Sequence, residues 1–128
     1  MRGTIKFYNK KKKFGFITDA EGNDVFVHRS SFRNINKRTL IMKGDIVEFE
    51  IGGGNNGKEQ AVSVYPILSL DMVSKELAKE GLNVMSIYDD KGWHGWYIVD
   101  KEEKQVVDKE MSLIDLAAYV GIDTEGLE

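Results

Sequence analysis

Two short segments, Lys13-Phe14-Gly15-Phe16-Ile17 and Asp24-Val25-Phe26-Val27-His28, limit what this chain can become more than any other part of it. Side chains two apart share one face of a strand, so Phe14 and Phe16 point together, as do Phe26 and His28. Asp19 to Asn23, with Gly22 and Asn23 as turn formers, is short enough to pair the segments antiparallel, which sets four flat rings side by side. Ile17, Val25 and Val27 take the opposite face as core. Gly15 lies there too, where a missing side chain permits close backbone approach or strong curvature. Rings outside and aliphatics inside invert the usual rule. Lys10 to Lys13 runs straight into the ring face, and rings beside ammonium groups suit a single strand of nucleic acid, whose bases stack and whose phosphates need countercharge.

The neighbouring sequence extends this pair into a sheet. Arg2 to Asn9 reads as a first strand, with Ile5 and Phe7 on one face and Lys6 and Tyr8 on the other. After His28 a polar stretch, Arg29 to Lys43, carries Arg29, Arg33, Lys37, Arg38 and Lys43 and no acid; Phe32, Ile35 and Leu40 are expected to anchor it. Gly44-Asp45 opens a fourth strand, Ile46 to Ile51, in which Val47, Phe49 and Ile51 alternate with Glu48 and Glu50. Gly52 to Gly57 is glycine- and asparagine-rich and reads as a hairpin loop. A fifth strand, Glu59 to Tyr65, alternates Ala61 and Ser63 with Val62 and Val64, and Pro66 is expected to end it. Five short strands without a helix in 66 residues point to a small closed barrel, which removes exposed sheet edges.

At this point residues 1 to about 65 resemble the cold-shock domain family. The resemblance rests on Gly3-Thr4-Ile5-Lys6-Phe7-Tyr8-Asn9, Lys13-Phe14-Gly15-Phe16-Ile17, Asp24-Val25-Phe26-Val27-His28 with Ser30, and Gly44-Asp45-Ile46-Val47-Glu48-Phe49, in the family's order and spacing. It implies an all-β, five-stranded OB-type barrel over 1–66 that binds single-stranded RNA or DNA with low sequence selectivity. The second and third blocks look like the family's two ribonucleoprotein motifs. Lys6, Phe7, Phe14, Phe16, Phe26 and His28 fall on ligand-contacting positions, and Lys12, Lys13 and Arg29 join them as expected phosphate contacts. The chain also departs from the family, which typically has Trp-Phe at Phe7-Tyr8, Gly at Lys13 and often an aromatic at Arg29. A further aromatic usual in the long loop has no counterpart among Asn36, Lys37 and Arg38. Ring area is thus traded for charge.

The formal charge of −3 hides two opposite halves. Residues 1–66 hold 12 Lys/Arg against 7 Asp/Glu, or +5, and residues 67–128 hold 6 against 14, or −8. The acidic half reads as a small α+β module of order α-β-β-β-α. Ser69 caps a helix reaching about Glu80, and Asn83 to Tyr88 and Trp93 to Val99 form a hairpin across Asp89-Asp90-Lys91-Gly92. Gln105 to Asp108 is a short third strand, and Ser112 with Asp115 boxes a last helix that Gly121 stops. The same element order occurs in double-stranded-RNA-binding domains. Their last helix begins with a basic cluster, however, where this chain has Asp108, Glu110 and Asp115, so this half is expected to repel a nucleic-acid backbone. Its residues carry no resemblance to a family that we recognise. Trp93-His94-Gly95-Trp96-Tyr97 reads as a hairpin with one aromatic face packed, and an outward Trp would mark a protein-binding patch.

Several classes of function are excluded or disfavoured. No apolar run approaches the ~18 residues needed to span a bilayer, and Met1-Arg2-Gly3-Thr4 leads into alternation instead of the apolar block of a signal peptide. Absence of cysteine excludes disulfides and Cys-ligated metal, and fits a cytoplasmic location. The two histidines, His28 and His94, lie in different halves, and no nucleophile elbow or His-rich metal motif occurs, so neither catalysis, a metal nor a cofactor is expected. The function expected is single-strand nucleic-acid binding of the RNA-chaperone or transcription/translation-regulator type. Residues 67–128 then serve as a partner or self-association module. The alternative is an adaptor that acts mainly through the acidic module.

Overall fold

A computed structural model describes residues 1–53 and 58–127, so Gly54 to Gly57 of the glycine-rich connection lie outside the described residues. The chain divides into two compact units, Met1–Leu70 and Asp71–Glu128. The first contains β1 (Arg2–Asn9), β2 (Phe14–Asp19), β3 (Asp24–His28), β4 (Ile46–Gly53) and β5 (Glu59–Leu68). These form one antiparallel sheet in the order β3-β2-β1-β4-β5, consistent with the OB-type arrangement. Its core is Ile5, Ile17, Val25, Val27, Val47, Phe49 and Val64, with Phe32 and Ile41 from the long segment after β3. In β2 and β3 strict alternation holds: Ile17, Val25 and Val27 are buried, while Phe14, Phe16, Phe26 and His28 are only partly so.

Two irregularities redirect side chains that simple alternation misplaces. Ile5 pairs with Ile17 but Phe7 with Phe16, so Lys6 is an extra residue in β1. The bulge moves Phe7 off the core face that it was expected to share with Ile5, and Tyr8 packs against the core in its place. In β5, Glu48 pairs with Tyr65 and Glu50 with Val62, and Ser63 sits between them at φ 50°. Both Ala61 and Val64 thereby reach the core.

Other expectations are corrected by the pairing. Pro66 does not end β5, which runs on to Leu68 with Pro66 opposite Val47. As the last strand in the sheet order, β5 tolerates a residue without an N–H. Ile41, 3% exposed, anchors the long segment, whereas Leu40 is 45% exposed. Of the three apolar residues that alternate in β4, Val47 and Phe49 are buried and Ile51, near the strand's end, is exposed. Phe32 bridges Val64 in parallel, and Arg33 N–H donates to Val64 O at 2.7 Å, so the segment after β3 is tied to β5.

The second unit holds most of α1 (Leu70–Ala78), then β6 (Asn83–Asp89), β7 (Gly92–Val99) and α2 (Leu113–Tyr119). β6 and β7 form a two-stranded antiparallel sheet. Leu82 N–H donates to Leu77 O at 3.0 Å and closes α1 before the expected Glu80. The capping box of α2 is present: Asp115 N–H donates to the Ser112 hydroxyl, and Ser112 N–H to the Asp115 carboxylate, both at 3.1 Å. The Ser112 N–H, donated to its carboxylate, holds the Asp115 carboxyl below its ordinary value. At the other end Gly121, φ 84°, takes the left-handed conformation that turns Ile122 N–H back onto Ala117 O. The expected third strand at Gln105–Asp108 is not formed. Gln105 makes one bridge to Val99, after which Lys109 N–H turns back onto Val107 O and breaks the extended path. The observed order is therefore α-β-β-α.

Of the tryptophans, Trp96 is buried and Trp93 only partly so, with ring centroids 4.7 Å apart. His94, beside them on β7, holds Glu110 Oε1 at 2.8 Å through Nδ1 and lies 3.4 Å from Asp89 Oδ2 through Nε2. The hydrogen bond to Glu110 raises the His94 pKa above its ordinary 6.5. An imidazolium bound more tightly in the folded state stabilises the unit fully below pH 6.5, and that contribution is lost as pH rises through the raised value. Both tryptophans lie in this unit, so their fluorescence reports its unfolding alone. The thermal midpoint read that way should fall between pH 6 and pH 8.5 in the wild type, and His94→Gln should flatten the fall.

Candidate nucleic-acid interface

Four of the five expected rings, all phenylalanines, form one continuous surface. Phe14 stacks on Phe26 with centroids 5.7 Å apart and planes 24° off parallel. Phe16 meets both edge-on, at 6.4 Å from Phe14 and 5.9 Å from Phe26, and Phe7 meets Phe14 at 6.2 Å. Cross-strand pairing produces this cluster: Phe14 lies opposite His28, and Phe16 opposite Phe26. Phe7 is 46% exposed, and none of the four belongs to the buried core, which takes Phe32 and Phe49 instead. Such a surface presents π-faces at the spacing that ring-on-ring packing allows, and every base has a π-face to match.

Gly15 makes the arrangement feasible. A Cβ there would stand 2.1 Å from Phe7 O and 3.0 Å from Tyr8 Cα, so the β1 bulge that exposes Phe7 occupies the space a side chain would need. His28 closes the row at the end of β3. Ser30 N–H donates to His28 Nδ1 at 3.1 Å, which makes Nδ1 an acceptor and leaves the proton of the neutral ring on Nε2. Nε2–H is then a donor available to a base.

The expected phosphate contacts differ in their surroundings. Lys6 Nζ is held by Asp24 Oδ2 at 2.8 Å, and this ammonium keeps the Asp24 carboxyl below its ordinary value. Lys12 and Lys13 lie in the exposed turn between β1 and β2, whose shape is set by Asn9 Oδ1 accepting Lys11 N–H and Lys12 N–H, both at 3.0 Å. Lys13 itself has φ 62°, the left-handed conformation in which a side chain costs ~1–2 kcal/mol. Arg29 is turned inward, donating from one guanidinium nitrogen to Asn36 O at 2.9 Å and Thr39 O at 3.0 Å. It braces the long loop more than it offers a free charge. Among the described residues no cluster of three or more His, Cys, Asp or Glu side chains could hold a metal, and no helix is long and apolar enough to cross a membrane.

Sequence reasoning missed a cationic hollow beside this row, where Lys10, Lys37 and Arg38 converge with Lys13 and Arg29. The acid-free run from Arg29 to Lys43 was its signal, but its partner wall comes from the β1–β2 turn, a pairing only the fold reveals.

Comparison with known proteins bears on the same segment. A family profile described as the 'Cold-shock' DNA-binding domain matches residues 1–67. Glycine-rich protein 2 of Nicotiana sylvestris is 45% identical over 64 residues, 49% of this chain and 29% of that protein. The Cold shock-like protein of Thermotoga maritima is 48% identical over 61 residues, 48% of this chain and 91% of its own length. Cold shock-like protein CspC of Escherichia coli K12 is 47% identical over 68 residues, 52% of this chain and 96% of its own length. The chain thus spans under a third of the plant relative and nearly all of the two bacterial ones. The matched lengths, 61 to 68 residues, are close to the length of the first unit.

Two backbone substitutions separate the glycine constraint from the lysine one. Gly15→Ala is expected to cost more than about 2 kcal/mol, because the nearest obstruction is backbone and cannot swing away. Lys13→Gly should stabilise by roughly 1 kcal/mol by relieving the left-handed residue, while weakening binding through the lost charge. Urea unfolding followed by circular dichroism, with an oligonucleotide titration of the Lys13 variant, reads both.

Proposed function

Because the chain belongs to the cold-shock DNA-binding domain family through residues 1–67, we propose that it binds single-stranded RNA or DNA on the ring face of β1, β2 and β3. The reading is carried by the four phenylalanine rings, 5.7–6.4 Å apart, outside a core that has phenylalanines of its own. In this reading Phe7, Phe14, Phe16 and Phe26 stack on bases. His28 stacks or donates from Nε2. Lys12 and Lys13 meet phosphate directly, and Arg29 meets it from its place in the loop. Lys6 joins them only by leaving Asp24. Contacts of this kind read the shape and charge of a strand instead of its sequence, so selectivity is low. The sheet curls into a closed OB-type barrel whose outer wall is the binding surface. A strand spread over the rings cannot pair with itself, and the consequence is RNA-chaperone activity or control of transcription or translation in the cytoplasm. No step needs a bond to be broken, and the protein is a binder, not an enzyme.

The acidic segment serves in this reading as a separate module for a protein partner or for self-association. Tyr88, 70% exposed on β6, supports that role and favours the adaptor as second reading.

Titration with an oligothymidylate of the full chain and of its Phe14→Ala variant tests the proposal. Loss of one platform should weaken binding by ~1–3 kcal/mol, roughly 5- to 150-fold. Affinity should also fall with salt, log K dropping by about 0.7 per phosphate contact for each tenfold increase. Equal affinities for variant and wild type, or a flat salt response, would count against it.

A further inference from the structure

The outer strands of this chain differ in how their free sides are covered. β7 pairs with β6 on one side, and on the other it is met by Met111 at Trp96 and by Gln105 at Val99. β5, the last strand of the first sheet, carries Pro66 and is bridged by Phe32. β6 has no such cover: among the described residues nothing bridges its second side. A bare edge presents unpaired N–H and C=O groups, and proteins blunt it with proline, lysine or a bulge. β6 has none of these. Its 7 residues, Asn83–Asp89, hold one charge, at Asp89, and the extra residue of the hairpin, His94, belongs to β7.

The side chains of β6 are as unfinished as its backbone. Trp96 and Ile98 on β7 are buried, but the β6 residues opposite them, Ser86 and Val84, are exposed and half-buried. Tyr88, which shares their face, is 70% exposed. On the other face Met85 is half-buried and lines a groove of about 440 Å³ with Ser74 and Ala78 of α1. The packed interior thus stops at β7, one strand short of the edge.

Building on the reading of this segment as an association module, we infer that its partner is a second copy of this chain, with β6 of one copy added antiparallel to β6 of the other across a two-fold axis at Ser86. This register pairs every residue of β6, and any other symmetric one pairs fewer. It sets Val84 of one copy opposite Tyr88 of the other, and Met85 opposite Ile87, so each apolar side chain of β6 gains an apolar neighbour across the seam. The acids are kept apart. Asp89 lies opposite Asn83, and Asp90 lies opposite Leu82, next to Gly81. A Cβ on Gly81 would stand 3.2 Å from Lys101 Cε, so the Lys101 side chain is at that end of the seam. Lys79 and Lys104 are engaged by Glu76 and Glu102, whereas Lys101 makes no ion pair among the described residues. Asp90 of each copy therefore meets the Lys101 ammonium of the other. Segments of −8 repel at a distance, and this alignment is what lets two of them join. A contact of this symmetry closes on two copies and leaves no edge for a third.

Sedimentation equilibrium of the full chain tests this with Ser86→Lys and Ser86→Glu, both at an exposed side chain that the register places opposite itself. Wild type should dimerise with a Kd on the order of 10 μM, in keeping with a seam at the small end of interface sizes. Added salt should tighten the dimer, since it screens the repulsion between acidic segments. Each variant alone sets like charges face to face and should weaken association about fivefold. An equimolar mixture of the two should recover wild-type affinity, because lysine then faces glutamate, a result that damage to the fold cannot give. In wild type the amides of β6 should exchange more slowly as the dimer forms, which reads the edge without any substitution. Wild type that stays monomeric well above that concentration overturns the second copy and leaves a different protein as the module's partner. Dimers that persist unweakened in both variants, or that salt dissolves, overturn the β6 seam while leaving self-association in place. Weakened variants whose mixture does not recover overturn the two-fold register. Binding of nucleic acid on the ring face is read by its own titration and stands or falls apart from all of these.

Discussion

One close approach of backbone to backbone carries the first unit. Phe7 O lies where a side chain on residue 15 would begin, and only glycine admits it. That approach is the inner side of the bulge at Lys6, and the bulge lets a single strand serve two masters: Ile5 points into the core, while Phe7, two residues later, points out to the rings. Without it strict alternation would put Phe7 inside and take one platform from the surface. The ring face is thus a product of strand irregularity as much as of sequence pattern.

Charge is arranged with the same economy. Cations near the rings fall into two groups, those already satisfied by protein and those that are not. Lys6 rests on Asp24 and Arg29 on two loop carbonyls, so these hold the surface in shape. Lys10, Lys12, Lys13, Lys37 and Arg38 are exposed. Exposed charges of one sign do little for stability, and in the proposed reading they attract a polyanion. Lys13 is the sharpest instance, since it keeps a strained left-handed backbone where glycine would sit at ease. The local cost is repaid only if the ammonium has work to do outside the fold.

Much of this was legible in the sequence, because period-two alternation is a local signal. The faces of β2 and β3, their antiparallel pairing and the Ser112–Asp115 box follow from spacing alone. What escaped depends on events between strands. Phe7 and Tyr8 exchanged faces because the bulge is dictated by Gly15 on the next strand. β5 outran Pro66 because its place in the sheet order excuses a missing N–H. Ile41 replaced Leu40 as an anchor because two adjacent apolar residues in a loop give no period to choose between them. In the acidic unit Gln105 to Asp108 had the composition of a strand, but a turn at Val107–Lys109 took the backbone away from β7. The cationic cleft was invisible for a related reason, as its walls come from segments some 25 residues apart.

The central claim is that base stacking happens on the phenylalanines outside the core and not elsewhere. Proton NMR of the full chain during titration with an oligothymidylate tests it most directly, since a base lying on a ring displaces that ring's resonances through its own ring current. The account expects the aromatic resonances of Phe7, Phe14, Phe16 and Phe26 to move upfield together, while those of Phe32 and Phe49, sealed in the core, stay in place. Movement of Phe32 and Phe49 alone, or of Trp93 and Tyr88 with the four rings unmoved, would contradict it.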